Sequence, residues 1–173
     1  MLKKHIGFSI LGVLLLSVAL NAQARRHYYD DDDGYSYRSP LPQRISSGNI
    51  IKVDLGRLVW GAYDDSGHLV RWGRASGGKK YCPDIRRGCR TVTGTYTIYS
   101  KKGPGCRSSR FPVGRGGAPM PYCMHFKGGY ALHGGYVPNY NASHGCIRVP
   151  REDAEWLNED FVRVGSTRVN IHY

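Results

Sequence analysis

Three observations predict a mainly β domain. Short runs of β-branched and aromatic residues recur from Ile50 onward, separated by turn signals such as Leu55-Gly56 and Asp64-Asp65-Ser66-Gly67. Residues 101–119 are rich in glycine, arginine and proline, with Pro104, Pro112 and Pro119, and must be largely loop. One segment alone combines helix-start chemistry with an apolar face: Pro150 suits a first turn, Glu152 and Asp153 favour its positive end, and Ala154, Trp156 and Leu157 supply the packing face.

The elements follow in order. Lys3 and Lys4 precede an apolar run from Ile6 to Leu20, and Ala22-Gln23-Ala24 supplies a small-x-small cleavage pattern. The run is short for a membrane span of about 20 residues. Residues 1–24 therefore read as a signal peptide, with an exported chain starting at Arg25 and no transmembrane segment after processing. Residues 25–44 carry an acidic run, tyrosines and prolines without apolar periodicity, and read as a flexible lead-in. Residues 45–173 read as one domain. Within it, "NIIKVDLGRLVWGAYDDSGHLVRWG" predicts three strands, with Gly67 free to take a positive φ in the second turn. "TVTGTYTIYSKK" predicts one further strand, "MPYCMHF" and "GYALHG" a pair around Lys127-Gly128, and "TRVNIHY" a last strand.

Without Lys3 and Lys4, 23 of the 25 basic side chains remain against 13 acidic ones. Such a surface favours polyanions, among them a carboxylate-rich cell wall. Nucleic acid does not fit an exported chain, and the basic residues are scattered rather than gathered on one helix. Cysteines of an exported protein are mostly paired. Cys82, Cys89, Cys106, Cys123 and Cys146 are an odd number, and the first four lack the close C-x₂₋₄-C pairs of structural zinc sites. Two disulfides and a free Cys146 are expected. Joining sequence-near segments favours Cys82–Cys89 and Cys106–Cys123, which would close a region poor in apolar residues.

The stretch "ALHGGYVPNYNASHGCIRVPREDAEWL" holds His133, His144 and Cys146. If it is extended, His144 and Cys146 share a face, with Gly145 leaving room for a substrate backbone. Three readings remain open from spacing alone. A thiol nucleophile would need a nearby imidazole to take its proton and amides to hold an oxyanion. A catalytic zinc would want three protein ligands and an open position. A core cysteine beside ordinary histidines would do no chemistry.

The same stretch resembles the active-site signature of the L,D-transpeptidase (YkuD-type) family: a His-Gly, a variable loop, then Ser/Thr-His-Gly-Cys, an aliphatic residue and Arg or Asn. "TVTGTYTI" is similar to that family's Thr-Pro-Thr-Gly-x-Phe-x-Ile element, with Val92 in place of the proline and Tyr96 in place of Phe. The resemblance implies a YkuD-like β-sandwich with one short helix after the catalytic strand. It implies Cys146 as nucleophile and His133 as its base, with the Gly134 carbonyl orienting the ring. Ser143 and His144 would shape the pocket, amides near Gly145 and Cys146 would hold the oxyanion, and Arg148 would hold the site or a substrate carboxylate. No cofactor and no metal are implied. Choosing His133 over His144 as the base comes from the resemblance. The loop from Gly134 to Ala142 is shorter than in many members.

The implied substrate is a peptidoglycan tetrapeptide stem, cleaved after its third residue with release of D-alanine. The implied acceptor is an amine, from a second stem or from an envelope protein, in the periplasm or cell wall, where such cross-links serve cell-wall organisation and cell shape. Rivals are a carboxypeptidase that passes the same acyl group to water, a zinc hydrolase using His133, His144 and Cys146, and a basic wall-binding protein without catalysis. The order of the site residues, His133 before Cys146, sets the chain apart from NlpC/P60-type wall peptidases. N-terminal sequencing of the protein recovered from its native envelope should begin at Arg25; an intact Met1 there would refute processing.

Overall fold

Alternation along each strand decides what faces inward, because successive side chains of a strand point to opposite faces. The computed structural model describes residues 38–173, so the expected signal peptide and most of the lead-in lie outside the described residues. The strands are β1 (Ile50–Asp54), β2 (Val59–Tyr63), β3 (Leu69–Arg74), β4 (Gly94–Thr97), β5 (Ser100–Lys101), β6 (Met124–Lys127), β7 (Tyr130–Gly134), β8 (Ile147–Val149) and β9 (Arg168–His172). They form two sheets, ordered β3-β2-β1-β9-β4 and β5-β6-β7-β8. Ile51 and Val53 of β1, Val169 and Ile171 of β9, Leu132 of β7, and Ile147 and Val149 of β8 enter one shared core. The domain is thus mainly β with two sheets and a short helix, as the sequence predicts.

The first two turns form for local reasons. Asp54 Oδ1 accepts the Gly56 and Arg57 amides at 3.0 and 2.9 Å, which turns the chain between β1 and β2. Asp64 does the same for Ser66 and His68, and Gly67 takes φ +80°. The end of the lead-in is tied down here as well: Leu41 is buried, and the Pro42 carbonyl accepts the Tyr63 hydroxyl at 2.9 Å.

One expected strand divides. The run from Val92 to Lys101 crosses between sheets at Ile98 and Tyr99, whose amides bond Thr167 of the first sheet's side and His125 of the second. Ile98 is fully buried at the crossing. A two-residue alternation reads the same whether its strand stays in one sheet or changes sheets, so the pattern did not reveal the break.

Helix α1 (Arg151–Trp156) follows β8 directly and continues as a π-helical turn over Leu157–Phe161. Ala154 and Leu157 are fully buried and Trp156 packs against the core, as the apolar spacing requires. Asp153 stands in the helix's first turn as expected and has a second role there. It is buried, and its Oδ1 accepts Arg71 Nη2 of β3 at 2.7 Å. The Arg71 guanidinium also lies 5.0 Å from the Trp156 ring centroid. A Cβ on Gly73 would meet Asp153 Oδ2 at 2.7 Å, so the glycine makes room for this anchor.

Burial raises the Asp153 pKa, and Arg71 works against that rise. Removing the guanidinium orphans a buried carboxylate, a loss of about 2 kcal/mol after allowing for partial exposure of Arg71. Urea unfolding of Arg71→Met should show that loss near neutrality. The loss should shrink as pH falls, because an orphaned Asp153 with a raised pKa takes up a proton and escapes the penalty.

Candidate active site

Strands β7 and β8 pair in parallel, with Leu132 opposite Ile147, His133 opposite Arg148 and Gly134 opposite Val149. Leu132, Ile147 and Val149 face the core, so His133 and Arg148 project from the opposite face of the sheet. Cys146 sits one residue before β8 and continues the Arg148 face, two residues along. Its thiol packs against a separate small apolar cluster of Cys106, Met120, Cys123 and Ala131. The site therefore lies on the outer face of the second sheet, roofed by this cluster.

The cysteines pair as Cys82–Cys89 and Cys106–Cys123, as the sequence favours. Cys146 is the free cysteine among the described residues and is half-buried.

His133 is almost completely buried, and its Nδ1 lies 2.9 Å from the Gly134 carbonyl oxygen. A carbonyl can only accept, so Nδ1 carries the proton and Nε2 keeps its lone pair. Burial depresses the imidazole pKa to about 4; the Gly134 carbonyl opposes the shift, and the Arg148 charge adds to it. Burial raises the Cys146 pKa, against the Ala131 backbone hydrogen bond and the Arg148 charge, which lower it. Both effects have one origin, the loss of hydration for a charged form. Burial thus favours the neutral form of each group, and the thiol's hydrogen-bond acceptor is the Gly129 carbonyl at 3.8 Å.

Ser143 organises the turn into β8. Its hydroxyl donates to the Cys146 carbonyl at 2.5 Å and accepts the Gly145 amide at 3.0 Å. The Ser143 amide donates to the Gly77 carbonyl at 2.8 Å, and its carbonyl accepts the Lys79 amide at 3.0 Å. Ser76 and Arg148 exchange both backbone hydrogen bonds, at 2.8 and 2.9 Å.

Gly145 takes φ +124°, and a Cβ there would come within 2.6 Å of the Tyr130 ring. The side of this glycine on which a side chain would stand is filled by Tyr130. The same positive φ breaks the extended alternation, so His144 and Cys146 do not share a strand face as the spacing suggested. The His144 ring instead bonds Asp84 Oδ2 through Nε2 at 2.7 Å and stacks on Phe111 with centroids 4.4 Å apart.

His133, His144 and Cys146 do not converge as a ligand set. The metal-type side chains that do converge among the described residues are Cys82, Asp84 and His144. Cys82 is bonded to Cys89, so its sulfur is not a thiolate ligand.

Sequence reasoning missed the 75–79 segment and Asn141. Asn141 Oδ1 accepts the Gly77 amide at 2.7 Å, and its Nδ2 donates to the Leu55 carbonyl at 3.0 Å. Ser76 Oγ donates to the Tyr140 carbonyl at 2.8 Å and accepts the Ala142 amide at 3.2 Å. The short loop after His133 is therefore pinned. The available signal was "ASGG": a Cβ on Gly78 would come within 1.9 Å of the Cys89 carbonyl oxygen.

The fold and site together define a two-sheet β domain that keeps a free thiol and the buried His133 imidazole on the same sheet face. Residues 18–171 match the family described as the L,D-transpeptidase catalytic domain (YkuD), and the chain belongs to that family. It is 31% identical to an L,D-transpeptidase (residues 123–326) from Xylanimonas cellulosilytica, over 78% of this chain and 65% of that one, with a TM-score of 0.67. An L,D-transpeptidase from Stackebrandtia nassauensis is similar in fold at 24% identity, covering 76% of this chain and 58% of its own, with a TM-score of 0.59. One from Mycobacterium smegmatis matches at 22% identity, over 72% and 58%, with a TM-score of 0.57. The chain spans less than two thirds of the length of each of these structures. No curated protein matches it.

Burial of His133 makes stability depend on pH. Its folded pKa of about 4 lies below the ordinary value of 6.5. The unfolded chain then binds the extra proton first, so stability is fully present above about pH 6.5 and falls as pH drops toward 4, by about 3 kcal/mol. Urea unfolding across that window should show the slope in wild type, and His133→Gln should remove this share of it.

Proposed function

We propose that the domain is a cysteine-dependent L,D-transpeptidase acting on peptidoglycan stems. The observation that carries the reading is the pair itself: Cys146 is unbridged while the four other cysteines are bonded, and it shares a sheet face with a histidine whose free nitrogen is a base.

Cys146 Sγ attacks the carbonyl of the third stem residue as His133 Nε2 takes the thiol proton. The S–C bond forms, the C–N bond to D-alanine breaks, and the imidazolium passes its proton to the departing amine. The Gly145 amide is already donated to Ser143 Oγ, so the oxyanion is assigned to the Cys146 amide. An acceptor amine then attacks the thioester, gives its proton to His133, and the thiol is restored. Arg148, opposite His133, is the cation available to a substrate carboxylate at this face. His144 and Gly134 act on the pocket and the His133 ring rather than on the reacting bond.

Processing after Ala24, a lead-in to residue 44, a catalytic domain over 45–173, and work in the periplasm or cell wall complete the reading. The family match supports the catalytic role, and the two cysteine pairs support an exported setting.

Purified protein incubated with tetrapeptide muropeptides should form an acyl-enzyme on Cys146 and cross-linked dimers, both seen by mass spectrometry. Free D-alanine with tripeptides alone would mark a carboxypeptidase. Cys146→Ala should abolish the acyl-enzyme, and His133→Ala should slow its formation by about 10²–10⁴-fold. Identical products from wild type and Cys146→Ala would refute the thiol mechanism.

A further inference from the structure

His133 and Ser143 are held by their own neighbourhood. The Gly134 carbonyl orients His133, and Ser143 is bonded to Gly145, Cys146 and the 77–79 backbone. His144 is held from outside. Asp84, 2.7 Å from its Nε2, belongs to the loop closed by Cys82–Cys89. Phe111, stacked on its ring, belongs to the loop closed by Cys106–Cys123. Two disulfide-closed loops thus meet on one imidazole, two residues from Cys146.

Each loop is anchored at its base beside the site. Cys82 Sγ lies 4.0 Å from the Ser143 carbonyl oxygen, and Cys106 and Cys123 share the apolar cluster against which Cys146 packs. Toward their tips the loops are exposed: Pro83, Asp84, Arg86, Arg87 and Gly88 in the first, and Pro112 to Arg115 in the second. The Asp84 and His144 side chains are 45% and 26% exposed, and pairs so open to water add little to folding. The pair and the stacked ring join both loops to a residue two positions from Cys146.

We propose that Asp84 and Phe111 are positioning residues for the acyl-donor pocket, acting through His144 to hold the two disulfide-closed loops as its wall. The inference rests on the acyl-transfer reading of Cys146. A stem peptide extending beyond the scissile bond leans on that wall, whereas proton transfer at His133 does not need it. Loss of the wall weakens donor binding and leaves the thiol–imidazole chemistry in place.

Asp84→Asn keeps the side-chain shape and removes the charge. With tetrapeptide muropeptide as donor, KM should rise about tenfold while kcat changes far less, the signature of lost binding rather than lost chemistry. Asp84→Glu should restore most of the affinity. Alkylation of Cys146 by iodoacetamide should be unchanged, because a small reagent needs no wall.

Cys82→Ser/Cys89→Ser, with its β core checked by circular dichroism, should raise KM similarly, and Asp84→Asn should add nothing in that background. If the double-serine chain does not fold, the Asp84→Asn and Phe111→Leu pair decides alone: both act on His144, so their effects should not add. An unchanged KM in Asp84→Asn, or full additivity in the cycle that folds, overturns the inference. Absence of any acyl-enzyme in wild type overturns the acyl-transfer reading instead.

Discussion

The register between β7 and β8 is the constraint on which the site depends. With Leu132 opposite Ile147 and His133 opposite Arg148, the apolar residues of both strands enter the core and the functional ones emerge together on the other face. A slip by one residue would send His133 inward and Leu132 out, because side-chain direction in a strand reverses at every position. Burying Leu132, Ile147 and Val149 is thus the same event as bringing Cys146, His133 and Arg148 to one surface. The core specifies the site.

That surface has its own dielectric character. The apolar roof of Cys106, Met120, Cys123 and Ala131 withdraws water from the thiol, and burial does the same for the imidazole. The two shifts run in opposite directions on the pH scale yet have the same cause, since each favours the uncharged form. A thiol exposed to an oxidising environment as a standing thiolate would be open to side reactions. In the acyl-transfer reading proposed above, two neutral groups defer the charge until a substrate carbonyl is present to share it.

The disulfides serve where apolar material is scarce. Between Lys79 and Cys123 the chain is mostly exposed and contributes Ile98, Met120 and Tyr122 as its large buried side chains apart from the cystines. Closing a loop of about 15 residues restricts the unfolded chain by about 3 kcal/mol in the chain-entropy picture. In this domain the closures lie beside the candidate site, one near Ser143 and one near Cys146.

Local chemistry was legible in the sequence. Asp54 and Asp64 turns, the β1–β3 runs, the hairpin of β6 and β7, the helix after Pro150 and the Cys82–Cys89 pairing follow from contacts within a few residues, and even the Cys106–Cys123 pairing spans only 17, so a short window of sequence contains them. So was the candidate constellation, because His133, Ser143, Cys146 and Arg148 lie within one stretch that resembles a known signature. What the sequence could not hold was set by contacts between distant segments. The split of the Val92–Lys101 run depends on partners Thr167 and His125. The burial of Asp153 depends on Arg71, and the turn of His144 away from the strand face depends on Gly145 meeting Tyr130 and on Asp84 and Phe111. Periodicity records which residues alternate, and it carries no trace of which distant backbone or ring they will meet; only the packed chain decides that.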